Sequence, residues 1–122
     1  MKGPFPFNVS IRSAAFNAAA RVLKLPADTA VSTISFGFDF EAAHKLPHHP
    51  GKCRELHGHS YRLVVSVDRP VDPDSGLAID FADLKSVVRE RVVDVLDHKY
   101  VNELIDNPTA EVMAVWIWQR LA

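Results

Sequence analysis

The chain has 122 residues, 48% hydrophobic and 24% charged, with a formal net charge of -1. That is enough for one modest domain with a single core, and too little for two. So balanced a charge supplies no field to draw the chain onto nucleic acid or an anionic membrane, and no apolar run approaches the roughly 18 residues of a membrane helix.

Residues 1–32 differ in texture from the remainder. The stretch "SIRSAAFNAAARVLKLPAD" is rich in alanine and basic residues, with Asp28 its only acid. Ser10 as an N-cap predicts a short helix running to about Lys24, where Pro26 would stop it. Its apolar residues scatter around the helical wheel, which argues against an amphipathic targeting peptide. No long apolar core with a cleavage site follows, as a secretory signal needs. The segment reads as a loosely attached extension, disordered or briefly helical, or as the result of a start codon placed too far upstream.

From Val31 the pattern changes. In "VSTISFGFDFEAAHKL", Ile34, Phe36, Phe38 and Phe40 alternate with small or polar residues, the period of a half-buried strand. "PHHPGK" breaks regularity, and "LHGHSYRLVVSVD" reads as a second strand closed by the turn-rich "RPVDPDSG". Asp80 caps a helix over "FADLKSVVRERVVDVLDHKY", in which Phe81, Leu84, Val88, Val92 and Val95 recur at helical spacing. A loop, "VNELIDNPT", leads to a second helix, "AEVMAVWIWQRLA". The order is strand, strand, helix, helix, without repeats.

Chemistry concentrates in "KCRELHGHSY". Side chains two apart on a strand share a side, so His57 and His59 can both reach one ion, and Gly58 between them removes bulk. An antiparallel return brings His44 alongside as a third imidazole. Three neutral histidines suit Zn²⁺ and leave a fourth position open, the pattern of a catalytic rather than a structural zinc. The single cysteine, Cys53, cannot form an internal disulfide, which fits a reducing, cytoplasmic compartment. Flanked by Lys52 and Arg54, it reads either as a fourth zinc ligand or as a free thiolate serving as base or nucleophile. Spacing does not choose between these.

Asp97 and His98 end the first helix. A cationic histidine is favourable there by dipole chemistry alone, whereas a proton relay needs the helix to unwind, since helical neighbours do not face each other. His48 and His49 lie in the proline-flanked loop and read as solvated. Thr109 and Glu111 open the second helix, where capping and dipole complementarity explain both.

Taken together, "FDFEAAHKLP", "KCRELHGHSY", "VDPDSGLAIDFADLK", "LDHKYVN" and "NPTAEVMAVWIW" resemble the 6-pyruvoyl-tetrahydropterin synthase superfamily, and within it the 6-carboxy-tetrahydropterin synthases of queuosine biosynthesis. The resemblance divides the chain into an extension, 1–32, and a synthase domain, 33–122. It implies an α+β tunnelling fold, an antiparallel sheet with two helices on one face. Subunits of such proteins join edge to edge as a homo-oligomer, a trimer or hexamer. The resemblance places zinc on His44, His57 and His59, makes Cys53 the proton-abstracting thiolate and Asp97 with His98 the relay, and sets Thr109 and Glu111 at the pterin. The reaction it implies converts dihydroneopterin triphosphate to 6-carboxy-tetrahydropterin, acetaldehyde and triphosphate, with 6-pyruvoyl-tetrahydropterin as the alternative product. Family members continue beyond the second helix into two more strands, the first carrying a Glu-Thr pair that anchors the pterin. No residue here matches that glutamate. The chain is therefore expected to be C-terminally truncated, with two strands marginal on their own and open along an edge. A non-catalytic zinc-binding subunit is the alternative from another class.

Overall fold

A computed structural model describes residues 7–12, 17–21 and 31–122. Two long strands organise it. β3 (Val31–His44) and β4 (His57–Pro70) pair antiparallel from Val31↔Pro70 to His44↔His57. The two-residue period puts Phe38, Phe40, Ala42 and His44 of β3 on the buried face, with Tyr61, Leu63, Val65 and Val67 of β4. Phe40 stacks on its register partner Tyr61, ring centroids 4.9 Å apart. The opposite face carries polar cross-strand pairs: Ser35 with Ser66 at 2.7 Å, Arg62 with Asp39 at 3.1 Å, and the Ser60 hydroxyl donating to Glu41 at 2.7 Å. Gly37 makes room for the second of these, since a Cβ there would meet the Arg62 guanidinium.

Helices cover the apolar face. Asp80 accepts the Ala82 N–H at 2.7 Å and opens α1 (Phe81–Val88), as its sequence position predicts. A π turn follows at Arg89–Val93, and then α2 (Asp94–Leu96). The π turn holds one residue more than a regular turn, so Val92 and Val93, adjacent in sequence, are both buried. It also shifts the register beyond it: Leu96 faces the core, and Val95, expected inward from its spacing, is only half-buried. β5 (Lys99–Tyr100) adds to the sheet parallel to β3, at Ala42 and Ala43. α3 (Ala110–Leu121) begins at Thr109, whose hydroxyl accepts the Val112 N–H at 3.1 Å, and buries Met113, Ala114, Ile117 and Leu121. The architecture is α+β, as expected.

The N-terminal expectation fails. The described residues there form strands, β1 (Phe7–Arg12) and β2 (Asn17–Arg21), in place of a helix capped by Ser10. β1 pairs antiparallel with β4 from Phe7↔Val67 to Arg12↔Arg62, giving the sheet order β2-β1-β4-β3-β5. "FNVSIR" alternates apolar and polar residues, the strand period. Alanine's helix preference is worth only tenths of a kcal/mol per residue, less than the ladder bonds offered by an unpaired edge. The β3–β4 pair therefore does not stand alone, because β1 occupies the edge of β4 and α3 lies against both N-terminal strands. Lys24, Pro26 and Asp28 lie outside the described residues. No helix among the described residues is long and apolar enough to cross a membrane.

Candidate metal centre

β3 ends in His44 exactly where β4 begins with His-Gly-His, so the antiparallel register itself assembles the site. His44 stands opposite His57, and His59 opposite Ala42. All three rings continue the inward-facing rows of Phe40 and Tyr61. Their centroids are 4.5, 5.0 and 4.8 Å apart in mutual edge-on arrangements, and their donor nitrogens lie within 4.8 Å of one another.

The outer nitrogens decide what the inner ones can do. His44 Nδ1 lies 2.8 Å from the Pro108 carbonyl oxygen, and His57 Nδ1 lies 2.8 Å from that of Glu55. A carbonyl only accepts, so each Nδ1 carries the proton and each neutral ring presents a bare Nε2 lone pair. Those two Nε2 atoms face each other at 2.9 Å. Two lone pairs so placed repel, and a cation between them satisfies both; neutral imidazole oriented through its other nitrogen is a common metal ligand. The 2.9 Å pair and the 4.8 Å outer limit bracket the ~3.3 Å between ligands that hold a tetrahedral ion at about 2.0–2.1 Å. The residues present fit a metal ion.

Burial favours the neutral form of His44 and His59. Desolvation holds His44 below the ordinary histidine pKa, against the opposing pull of the Pro108 carbonyl and with help from His57 and His59. His59 is lowered in the same way, first by burial and then by His57. Tyr61, edge-on to His44 and His59 with its hydroxyl 3.4 Å from His44 Nδ1, is pushed well above its usual range by burial and stays protonated.

Cys53 sits in a 3-10 turn, Lys52–Arg54, and is partly buried. Its carbonyl accepts the Leu46 N–H at 2.8 Å and closes the loop between the two long strands. Its thiol falls outside the three-histidine donor group, so a Cys-His₃ ligand set is not formed. His48 and His49 are exposed, and His49 Nδ1 serves locally by accepting the Gly51 N–H at 2.9 Å.

The Asp97–His98 pair meets the condition that adjacency imposes. The helix stops at Leu96, Asp97 is extended, and His98 takes a left-handed backbone with φ of 58°. This reversal brings His98 Nδ1 to 3.0 Å from Asp97 Oδ1. Glu41 of β3 clamps both residues: its N–H donates to Asp97 Oδ1 at 3.0 Å and its carbonyl accepts the His98 N–H at 2.6 Å. The Glu41 N–H is the main reason the Asp97 carboxyl lies below the usual range; desolvation opposes it, and His98 assists. His98 and the candidate ligand His59 line one open cavity of about 500 Å³, with Glu41, Ser60 and Lys99. A second cavity of about 520 Å³ lies toward the far end of β4 and is walled largely by aliphatic residues, among them Val65, Val67, Leu84 and Leu121. It has no part in the histidine cluster.

Thr109 works as the cap of α3, one residue after the carbonyl that holds His44, and Glu111 is exposed on the first turn. The sequence pattern gave no sign of three further contributors. Two are backbone carbonyls, at Glu55 and Pro108, which no residue type announces. The third is Asn102, whose side chain bonds the backbone of Lys45, the residue after His44.

Comparison with known proteins supplies the context for this geometry. The family profile described as 6-pyruvoyl tetrahydropterin synthase matches residues 33–122. A 6-carboxy-5,6,7,8-tetrahydropterin synthase from Synechocystis is 46% identical over 90 residues, covering 69% of this chain and 70% of that one. A dihydroneopterin monophosphate aldolase from Pyrococcus furiosus is 40% identical over 88 residues, covering 72% of this chain and 73% of its own. Among solved structures, a 6-pyruvoyl tetrahydropterin synthase from Caenorhabditis elegans superposes with a TM-score of 0.69 at 28% identity, over 76% of this chain and 78% of that one. The three-histidine cluster falls within the residues that the family profile matches, and the chain belongs to the 6-pyruvoyl tetrahydropterin synthase family.

Proposed function

We propose that the chain is a zinc-dependent 6-carboxy-tetrahydropterin synthase, acting on dihydroneopterin triphosphate and releasing acetaldehyde and triphosphate. The observation that carries this reading is the pair of bare Nε2 atoms facing each other at 2.9 Å beside a third imidazole. Likeness to the Synechocystis enzyme supports the choice of product. When bound, zinc supplies Lewis acidity that polarises substrate oxygens and acidifies the neighbouring C–H bonds.

His44, His57 and His59 hold the ion in this reading, and three protein donors leave it room for substrate. Cys53 removes a substrate proton as its thiolate, from a loop whose base is tied at Leu46 and Cys53. Asp97 orients the His98 ring through Nδ1, which leaves Nε2 to exchange protons in the shared cavity. Thr109 and Glu111 contact the pterin. A homo-oligomer, trimer or hexamer, assembles through sheet edges; among the described residues, the outer side of β3 is paired only at Ala42 and Ala43. A reducing cytoplasmic setting suits the free thiol.

Incubation of the zinc-loaded chain with dihydroneopterin triphosphate tests the proposal, with acetaldehyde measured enzymatically and the pterin by mass spectrometry. Acetaldehyde in step with 6-carboxy-tetrahydropterin supports it. The structural likeness to the Caenorhabditis elegans protein favours 6-pyruvoyl-tetrahydropterin as the second reading, and that product without acetaldehyde would establish it. No turnover by zinc-loaded protein refutes both.

A further inference from the structure

We infer that Asn102 is a positioning residue of the metal centre, and that its side-chain amide fixes the backbone from which His44 reaches the ion. The inference rests on the metal-site reading above. β5 pairs with β3 at Ala42 and Ala43 and ends at Tyr100, where the chain turns into a 3-10 turn at Val101–Glu103. The backbone ladder therefore runs out just before His44. The primary amide of Asn102 takes its place. Its Oδ1 accepts the Lys45 N–H at 2.9 Å, and its Nδ2 donates to the Lys45 carbonyl at 2.9 Å. One side chain thus reproduces both halves of a peptide's pairing on the residue directly after the ligand.

The same Nδ2 lies 3.4 Å from the Asp106 carbonyl. Two residues further on, Pro108 turns its carbonyl onto His44 Nδ1 at 2.8 Å. Asn102 consequently joins the two supports of His44: the strand end that carries the ring and the loop that sets its tautomer and direction. A metal site tolerates only a few tenths of an ångström of ligand error, and outer partners that orient a histidine typically change metal affinity 10–100-fold when removed. Alanine offers neither half of the contact. Aspartate keeps the acceptor for Lys45 N–H and sets a second oxygen against the Lys45 carbonyl.

The test measures zinc affinity by competition with a chromophoric chelator, together with the visible spectrum of the cobalt(II)-loaded chain and the melting temperature of the metal-free chain. For Asn102→Ala we expect zinc affinity to fall 10–100-fold and the cobalt bands to shift or weaken, while the metal-free melt moves by no more than the native spread. Native affinity and native cobalt bands in that variant would overturn the inference and leave the metal reading intact. A melt that falls with affinity transfers the decision to Asn102→Asp: weakened affinity with a native melt supports the positioning role, and native affinity overturns it. A native chain that takes up no zinc overturns the metal reading, and this inference with it.

Discussion

Substituting the two facing histidines one at a time separates ligation from folding. His44 is 1% exposed and its Nδ1 is paired with the carbonyl of buried Pro108. His44→Ala leaves that carbonyl unsatisfied, at about 1–3 kcal/mol, and opens a void beside Tyr61. The metal-free variant should lose about 2–4 kcal/mol, which for a chain of this length lowers the melting temperature by roughly 10 °C. His57 is only partly buried and its Nδ1 partner belongs to exposed Glu55, so water replaces the lost ring. His57→Ala also removes the lone-pair repulsion at 2.9 Å, and the metal-free chain should melt within a few degrees of native. On the proposed metal reading, zinc at one hundred times its dissociation constant should add about 2.7 kcal/mol to the native chain, or roughly 10 °C. Both variants should lose that increment. Thermal melts in EDTA and in zinc, followed by circular dichroism, read all four quantities. A His57→Ala chain that keeps the full zinc increment would refute the reasoning, as would a His44→Ala chain that melts like native in EDTA.

Other substitutions probe the remaining groups. Cys53→Ser should bind zinc as the native chain does and lose turnover to background, as judged by chelator competition and acetaldehyde release; lost zinc affinity would put the sulfur on the ion. Asp97→Asn should lower kcat by about 10²-fold or more at unchanged zinc affinity, because His98 loses the charged partner on Nδ1; an undiminished kcat removes the pair from the reaction. The metal-free chain should weaken as pH falls below about 6.5. His44 and His59 have folded-state pKa values below that of the unfolded chain, so the unfolded state takes up protons first. Their contribution is whole above 6.5 and is lost as pH falls toward the folded values. Melts at pH 7.5 and 5.5 with equal midpoints would contradict this.

The parts of the fold written in short periods were legible. Period two placed Phe38, Phe40, His57, His59 and Tyr61 on a common face, and a capping side chain announced α1 at Asp80 and α3 at Thr109. The histidine site was legible for the same reason, since strand register alone brings His44 opposite His57. What escaped depends on distant partners. Alanine-rich "NAAAR" favours helix locally, and nothing within it reports that β1 takes the edge of β4 and lies beside it. Val92, Val93, Val95 and Leu96 allow more than one helical register, and packing selects the one with the π turn. The carbonyls of Glu55 and Pro108 act through groups that every residue shares, so their role in orienting imidazoles has no signature in the alphabet of side chains.

A π turn is an α-helix carrying one residue too many, and each residue advances the helix by about 100°. The extra residue in Arg89–Val93 therefore sets the compass bearing at which the chain leaves Leu96 and meets Glu41. Deleting a single residue from that turn would regularise the helix, preserve every side chain of the Asp97–His98 pair, and aim them about a quarter-turn away from the cavity they share with His59. In this chain the address of a candidate proton relay is written several residues upstream, in a count rather than in a residue type.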